Sequence, residues 1–176
     1  MFIRSMTLAV PLLLAVGFVK PAMAGGLDDA TIYAIFDQAN MADIATGRLG
    51  FKKSDSPEIQ ALAKMVVTDH SAVQHMGREL AAKFGMLGTP PDGDPSWGDL
   101  TKALADLDRL SGKAFDAAYL RYEIAFHAAV IAAIETTLLP AIRNDEFKTL
   151  VETVLPGFRK HMAMTKDVAD KLGVAY

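Results

Sequence analysis

The stretch at residues 112–139, GKAFDAAYLRYEIAFHAAVIAAIETTLL, decides the fold class of this chain. Read at 3.6 residues per turn, it is apolar on nearly every side, which is typical of a helix buried at the centre of a protein. Pro140 follows directly and ends the helical pattern, because proline lacks the backbone N–H that a helix requires. The stretch therefore predicts a long central helix against which other helices pack.

Three further segments repeat apolar residues at the helical period. They cover about residues 28–53, residues 57–84, and a stretch that begins at the capping residue Asn144 or Asp145 and ends near residue 172. Ser56 can cap the second helix, and Gly85 is placed to end it. Pro156 lies inside the last segment and predicts a kink or a division of that helix.

The first and third connections between these helices are short, and the second is long. Residues 54–56 join helices one and two, and the link between helices three and four is similarly brief, so each of these two pairs should be antiparallel. The long link begins with GMLGTPPDGDPSWGDL at residues 85–100 and continues through a short amphipathic segment around residues 100–110. This pattern predicts an all-α, ferritin-like four-helix bundle whose long connection between helices two and three can cross the bundle. An up-down-up-down bundle with a decorated middle loop is the alternative.

The beginning of the chain reads as a secretory signal peptide. Arg4 supplies a positive charge, residues 8–19 form an apolar run, and Ala22, Met23 and Ala24 form an A-x-A cleavage site. The apolar run is shorter than the ~20 residues that a membrane span needs. We therefore predict that residues 1–24 are removed and that residues 25–176 form one domain, periplasmic or secreted, with no transmembrane span.

Charge and cysteine content exclude several classes of function. The formal net charge is −3, and removal of Arg4 and Lys20 with the signal peptide makes it −5. A mildly acidic chain without a block of Lys or Arg is a poor partner for nucleic acid or an anionic membrane surface. The chain has no cysteine, which excludes disulfides, thiolate metal sites and thiol nucleophiles.

Polar residues interrupt the apolar stripe of each predicted long helix. Asp43, His70, His127 and His161 lie on helices one to four, each within about three residues, or ~5 Å, of the helix midpoint. The midpoints of packed helices of similar length lie at similar heights, so these four side chains could meet in one layer. Glu123 stands one turn before His127 and could join them.

This layer has two interpretations. Imidazoles and carboxylates that converge in a helical bundle can bind a transition-metal ion, here one ion held by His70, His127 and His161 with Asp43 or Glu123. The same groups could instead form a metal-free hydrogen-bonded network that stabilises a structural or stress-related envelope protein. The chain contains neither a G-x-S-x-G motif nor a glycine-rich phosphate loop, so the sequence predicts no catalytic residue.

Two other polar residues of helix two rank lower as site residues. Asp69 adjoins His70 but points about 100° away around the helix. His75 falls on the polar face of the helix together with Thr68 and Glu79, where a solvated side chain is expected.

Four stretches resemble a bacterial protein family. They are ANMADIATGRLG at residues 39–50, MVVTDHSAV at 65–73, SGKAFDAAYLRYEIAFHAAVIAAIE at 111–135 and LPGFRKHMAMTKDVA at 155–169. They resemble the ferritin-like "domain of unknown function 4142" proteins and together extend over nearly all of the predicted mature chain. The resemblance implies an exported four-helix bundle and carries no established activity.

The ferritin-like relationship would suggest a di-iron oxidase, but the sequence lacks its ligands. That chemistry uses a Glu on each of two helices and Glu-x-x-His on the other two. In this chain Val67, Ile124 and Phe158 stand three residues before the three histidines of the predicted layer. We therefore expect either a single histidine-rich site or a metal-free network.

Overall fold

The computed structural model describes residues 27–176, so the predicted signal peptide at residues 1–24 lies outside the described residues. All regular structure in the described part is helical, and no strand occurs within it. The helices are α1 (Asp29–Lys53), α2 (Pro57–Phe84), α3 (Ser96–Asp108), α4 (Gly112–Ala141) and α5 (Asp145–Lys171). The predicted all-α class is confirmed. The amphipathic segment of the long link forms a fifth helix, α3, and the ferritin-like arrangement of the others stays a prediction.

Side-chain caps begin three of the long helices. Asp28, Ser56 and Asn144 each accept a hydrogen bond from a backbone N–H three residues later, at 2.7, 3.4 and 2.9 Å. Gly85 follows α2 with φ 65°, a left-handed conformation that favours glycine. The helix boundaries that the sequence predicts therefore have local causes in the structure.

Pro156 does not divide α5, although the sequence predicts a kink or a division there. The helix runs through Pro156 as one element from Asp145 to Lys171. Pro156 is exposed while Leu155 and Phe158 are buried, so the backbone carbonyl that it leaves unpaired lies on the solvent side of the helix. Water can satisfy that group, and burial of the other face keeps the helix continuous.

Two hydrophobic clusters lie at opposite ends of the long helices. The first contains Phe36, Phe147 and Phe158, and the second contains Phe115 and Tyr119. Along α1 and α5 the chain passes from the first cluster toward the second, and along α2 and α4 it passes in the reverse direction. Since α2 and α4 therefore run the same way, the connection at residues 85–111 travels the length of the molecule.

The helices pack as two pairs that contact each other. α1 packs along α2, α4 packs along α5, and contacts between α2 and α5 and between α1 and α4 join the pairs. α3 contacts α1 and α4 and contributes Ala103 and Leu107 to the second cluster. As a result, the middle of each long helix lies between the two clusters and has one side toward the interior of the protein.

One helix of the described chain, α4, is long and apolar enough to cross a membrane. Length and composition alone do not distinguish such a helix from the core helix of a soluble protein. α4 contacts α1, α3 and α5, and it buries Glu123 and His127.

Candidate metal centre

The four polar residues predicted from the four long helices meet in the middle of the protein. Asp43, His70, His127 and His161 are each at most 3% exposed, and we call them the polar layer. Asp43 Oδ2 lies 2.9 Å from His70 Nε2 and 3.3 Å from His127 Nε2. His70 Nε2 also lies 3.1 Å from His161 Nδ1. One nitrogen of each imidazole therefore points into a common space beside one carboxylate oxygen.

The second nitrogen of each imidazole points away from this space and meets an oxygen. The contacts are His70 Nδ1 with Asn40 Oδ1, His127 Nδ1 with the backbone carbonyl of Glu123, and His161 Nε2 with Asp69 Oδ2, each at 2.9 Å. A carbonyl or a carboxylate oxygen can only accept a hydrogen bond. Each outer ring nitrogen must therefore carry the hydrogen and donate it.

Asn40 has its amide oxygen toward His70 for an independent reason. Its Nδ2 donates a hydrogen bond of 2.8 Å to the backbone carbonyl of Phe36, one turn earlier in α1. Because the amide nitrogen is used there, the amide oxygen is the atom that faces His70 Nδ1. The side-chain amide of Asn40 thus makes one hydrogen bond through its nitrogen and one through its oxygen, and this arrangement determines the tautomer of His70.

The inner atoms of the polar layer are left with lone pairs. A neutral imidazole whose outer nitrogen carries the hydrogen offers a lone pair on its inner nitrogen. Within the described part of the chain, both Asp43 oxygens and His127 Nε2 lack a hydrogen-bond partner, because the close contacts do not have hydrogen-bond geometry. When all three rings are neutral, these lone pairs and the carboxylate repel one another at 2.9 to 3.3 Å, although the contact between His70 Nε2 and His161 Nδ1 has the geometry of a hydrogen bond. A positive charge placed among them, either a proton or a metal ion, would relieve that repulsion.

Two buried carboxyl groups, Asp43 of the layer and Glu123 next to it, differ in their electrostatic surroundings. Burial alone raises the pKa of Asp43, but positive charge on His127 and His70 lowers it to about 2, so Asp43 is a carboxylate when a cation is present in the layer. Burial and the negative charge of Asp43 raise the pKa of Glu123 well above its usual value, which favours the uncharged acid. Glu123 Oε2 lies 3.7 Å from His127 Nδ1. Ligand atoms of Asp43, Glu123 and His127 lie within 4.8 Å of one another, as do those of the three histidines.

His161 differs from the other two histidines in that its outer nitrogen contacts a half-exposed acid, Asp69. Burial lowers its pKa, and a hydrogen bond with Asp69 acts in the opposite direction. The net shift is downward, which keeps the ring neutral at pH 7.

Sequence reasoning did not predict the contacts of Asn40 and Asp69 with the histidines of the layer. Asn40 lies three residues before Asp43 on the same side of α1, so the i, i+3 rule could have identified it. Asp69 points away from His70 within α2, as expected, but that direction leads to α5 and to His161. The expectation for His75 is confirmed, since its side chain is 74% exposed and faces Glu79.

A comparison with protein families agrees with the resemblance seen in the sequence. The model of a domain of unknown function (DUF4142) matches residues 19–168. The chain belongs to this family. All residues of the polar layer lie within the part of this DUF4142 chain that the family model matches. No curated protein and no solved structure matches the chain.

Proposed function

We propose that this DUF4142 protein binds one transition-metal ion in the polar layer. His70 and His127 are ligands through Nε2, His161 through Nδ1, and Asp43 through Oδ2. The observation that carries the proposal is the hydrogen bonding of the outer ring nitrogens, each of which donates to an amide, backbone or carboxylate oxygen. Metal-binding histidines almost always make this second hydrogen bond, which orients the ring and selects its tautomer.

The donor set suits a first-row transition metal. Three neutral imidazoles suit zinc, copper, iron or nickel, and one carboxylate offsets part of the charge of a divalent ion. Four tetrahedral ligands with bonds of about 2.0 Å have donor atoms ~3.3 Å apart. The contacts of 2.9 to 3.3 Å within the layer are close to this spacing. Glu123 stands beside Asp43 and His127 as the fifth polar group predicted for the site.

The competing hypothesis is a protonated, metal-free layer. A proton on one histidine would form an ion pair with Asp43, and the network would then stabilise the register of the helices. Both hypotheses predict that removal of a core histidine destabilises the protein. Only the metal hypothesis predicts binding of an ion.

We propose further that α1, α2, α4 and α5 are a ferritin-like four-helix bundle and that the protein is exported. The parallel course of α2 and α4, joined by a connection that travels the length of the molecule, supports the ferritin-like topology. The signal-peptide pattern of residues 1–24 supports export to the periplasm or the medium, with no span left after cleavage.

Calorimetric titration of chelator-stripped protein tests the metal proposal. Zn²⁺, Cu²⁺, Fe²⁺ and Mn²⁺ are titrated into the wild type and into His70→Ala, His127→Ala and His161→Ala. We expect near-stoichiometric binding of at least one ion by the wild type, and its loss in each variant. An ion at a hundred times its dissociation constant adds about 2.7 kcal/mol to the free energy of unfolding. Binding should weaken as pH falls through the histidine range near ~6.5, because protons compete for the ligand nitrogens.

His75→Ala is the matched control, since His75 lies on the same helix as His70 but is exposed. It should bind the ion as the wild type does. Circular dichroism establishes that each variant is still helical. Failure of the wild type to bind any of these ions below the millimolar range would refute the proposal, and the layer would then be structural.

A further inference from the structure

The polar layer is linked to solvent on one side, between α2 and α5. Asp69 accepts the hydrogen bond from His161 Nε2 while its side chain is 49% exposed. The oxygens that support the other two histidines belong to Asn40 and Glu123, which are at most 1% exposed. Of the three outer hydrogen bonds in the described chain, the one on His161 is the one that reaches the surface.

This difference determines which histidine can release a bound ion at the lowest cost in free energy. If His70 turned away, the amide oxygen of Asn40 would lose its donor inside the protein, which is unfavourable. The Glu123 carbonyl would keep its backbone hydrogen bond within α4 if His127 turned away, but the ring of His127 is fully buried and its outer hydrogen bond does not reach the surface. If His161 turned away, water could hydrate Asp69, since half of that side chain is already exposed. His161 is therefore the ring whose hydrogen-bond acceptor can be hydrated by solvent if the ring moves aside.

Asp69 also selects the nitrogen that His161 presents to the layer. Because Nε2 donates to Asp69, Nδ1 has the lone pair and lies 3.1 Å from His70 Nε2. In His70 the assignment is reversed, and Nε2 is the inner atom. Without Asp69, neutral His161 could place its hydrogen on Nδ1, where it would block ligation.

We propose that Asp69 is a positioning residue that makes His161 the exchangeable ligand, so that the metal ion enters and leaves between α2 and α5. This inference rests on the proposed function. It assigns different roles to two neighbouring residues of α2. His70 binds the ion, and Asp69 orients His161, the ligand that α5 provides.

The first test measures metal loss. Wild-type protein loaded with Co²⁺ is mixed with excess chelator, and the decay of the Co²⁺ absorption bands is followed by stopped flow. We expect Asp69→Ala to lose Co²⁺ at least 10-fold faster than the wild type and to bind it 10–100-fold more weakly. Asp69→Asn keeps an oxygen that can accept from Nε2, so it should restore most of the affinity and the wild-type spectrum.

Glu79→Ala is the control, since Glu79 is an exposed acid on the same helix. It should lose Co²⁺ at the wild-type rate. Suppose that the wild type binds Co²⁺ stoichiometrically and that Asp69→Ala releases it at the wild-type rate. This result would refute the role of Asp69 in metal exchange and leave the proposed metal site intact. A wild type that binds no ion would refute both.

The second test measures access to each ring without any metal. Metal-free wild type is treated with diethyl pyrocarbonate, and modification of each histidine is followed by mass spectrometry. After exposed His75, His161 should react before His70 and His127, and Zn²⁺ should protect all three. Equal reaction rates for the three core histidines, or faster reaction of His70 or His127, would contradict the proposal that His161 is the exchangeable ligand.

Discussion

Asp43 and Glu123 show how surroundings set the charge of a buried carboxyl group. Both side chains are at most 1% exposed, and burial favours the protonated form of each. Positive charge on His127 and His70 outweighs burial at Asp43 and lowers its pKa to about 2, whereas the charge of Asp43 reinforces burial at Glu123. The surroundings thus favour a carboxylate at Asp43, which can bind a cation, and a neutral acid at Glu123.

Glu123→Gln tests the protonated state of Glu123 in metal-free protein. The folded state keeps the proton, while the unfolded chain loses it above the usual pKa of 4.5. The unfolded state then binds fewer protons, so the contribution of Glu123 to stability is fully present below pH 4.5 and decreases as pH rises toward its folded pKa. Relative to Glu123→Gln, the free energy of unfolding of the wild type should fall by about 1.4 kcal/mol per pH unit in this window.

Urea denaturation at several pH values from 4.5 upward, with chelator present, measures this difference. Glutamine has nearly the shape of protonated glutamate but does not titrate. Glu79→Gln, at an exposed position, should show no comparable slope. Parallel stability curves for the wild type and Glu123→Gln would mean that Glu123 is already ionised in the folded state.

At the scale of elements, α1 approaches its neighbours closely at two glycines. A Cβ on Gly47 would lie 2.8 Å from Val67 Cγ2 of α2, and a Cβ on Gly50 would lie 2.5 Å from Tyr119 Cζ of α4. Tyr119 is fully buried and stacks on Phe115, so its ring cannot move aside easily. These glycines allow α1 to pack against both helices near the polar layer.

Gly50→Ala should therefore destabilise the protein although alanine favours helices. We expect a loss of ~1–3 kcal/mol from overpacking against Tyr119, which exceeds the gain of ~1 kcal/mol in helix propensity. Gly157→Ala in α5 is the control, because a Cβ there would meet no atom within 4 Å apart from its chain neighbours and the backbone of its own helix. It should be neutral or stabilising by up to ~1 kcal/mol. Thermal unfolding of both variants measures these changes in stability. Equal changes for Gly50→Ala and Gly157→Ala would show that packing at Gly50 is not tight.

At the scale of the whole molecule, the two hydrophobic clusters enclose the polar layer from both ends. Phe36 and Phe158 of the first cluster and Tyr119 of the second are nearly or fully buried. Burial between the clusters lowers the local dielectric, which strengthens electrostatic interactions within the layer. Because the chain has no cysteine and therefore no disulfide, its stability depends on such a core.

The export proposal makes a prediction about the intact protein. Expressed with its own first residues in a bacterium with a periplasm, the protein should be recovered from the periplasmic or secreted fraction with Gly25 as its first residue. A chain in which Ala22 and Ala24 are both replaced by bulky Leu should keep its signal peptide, because cleavage needs small residues there. N-terminal sequencing measures both. An intact Met1 on a membrane-embedded wild type would contradict the proposal.

Sequence by itself determined the helical class, the boundaries of the long helices and the five residues predicted for the centre. These follow from local rules. Ser56 and Asn144 cap because their side chains reach a backbone N–H three residues later, and the histidines stand out because a 3.6-residue period places them on apolar stripes. Nothing beyond a few turns of one helix is needed for these inferences.

Tertiary structure alone decided the partners, the tautomers and the charges of the centre. Asp69 reaches His161 across 92 positions of sequence and Asn40 meets His70 across 30, so neither contact is encoded in the period of one helix. The opposite protonation of Asp43 and Glu123, and the common direction of α2 and α4, likewise depend on which helices are neighbours. The physical reason is that hydrogen bonds and charge interactions act over a few ångströms, and only packing brings distant residues that close.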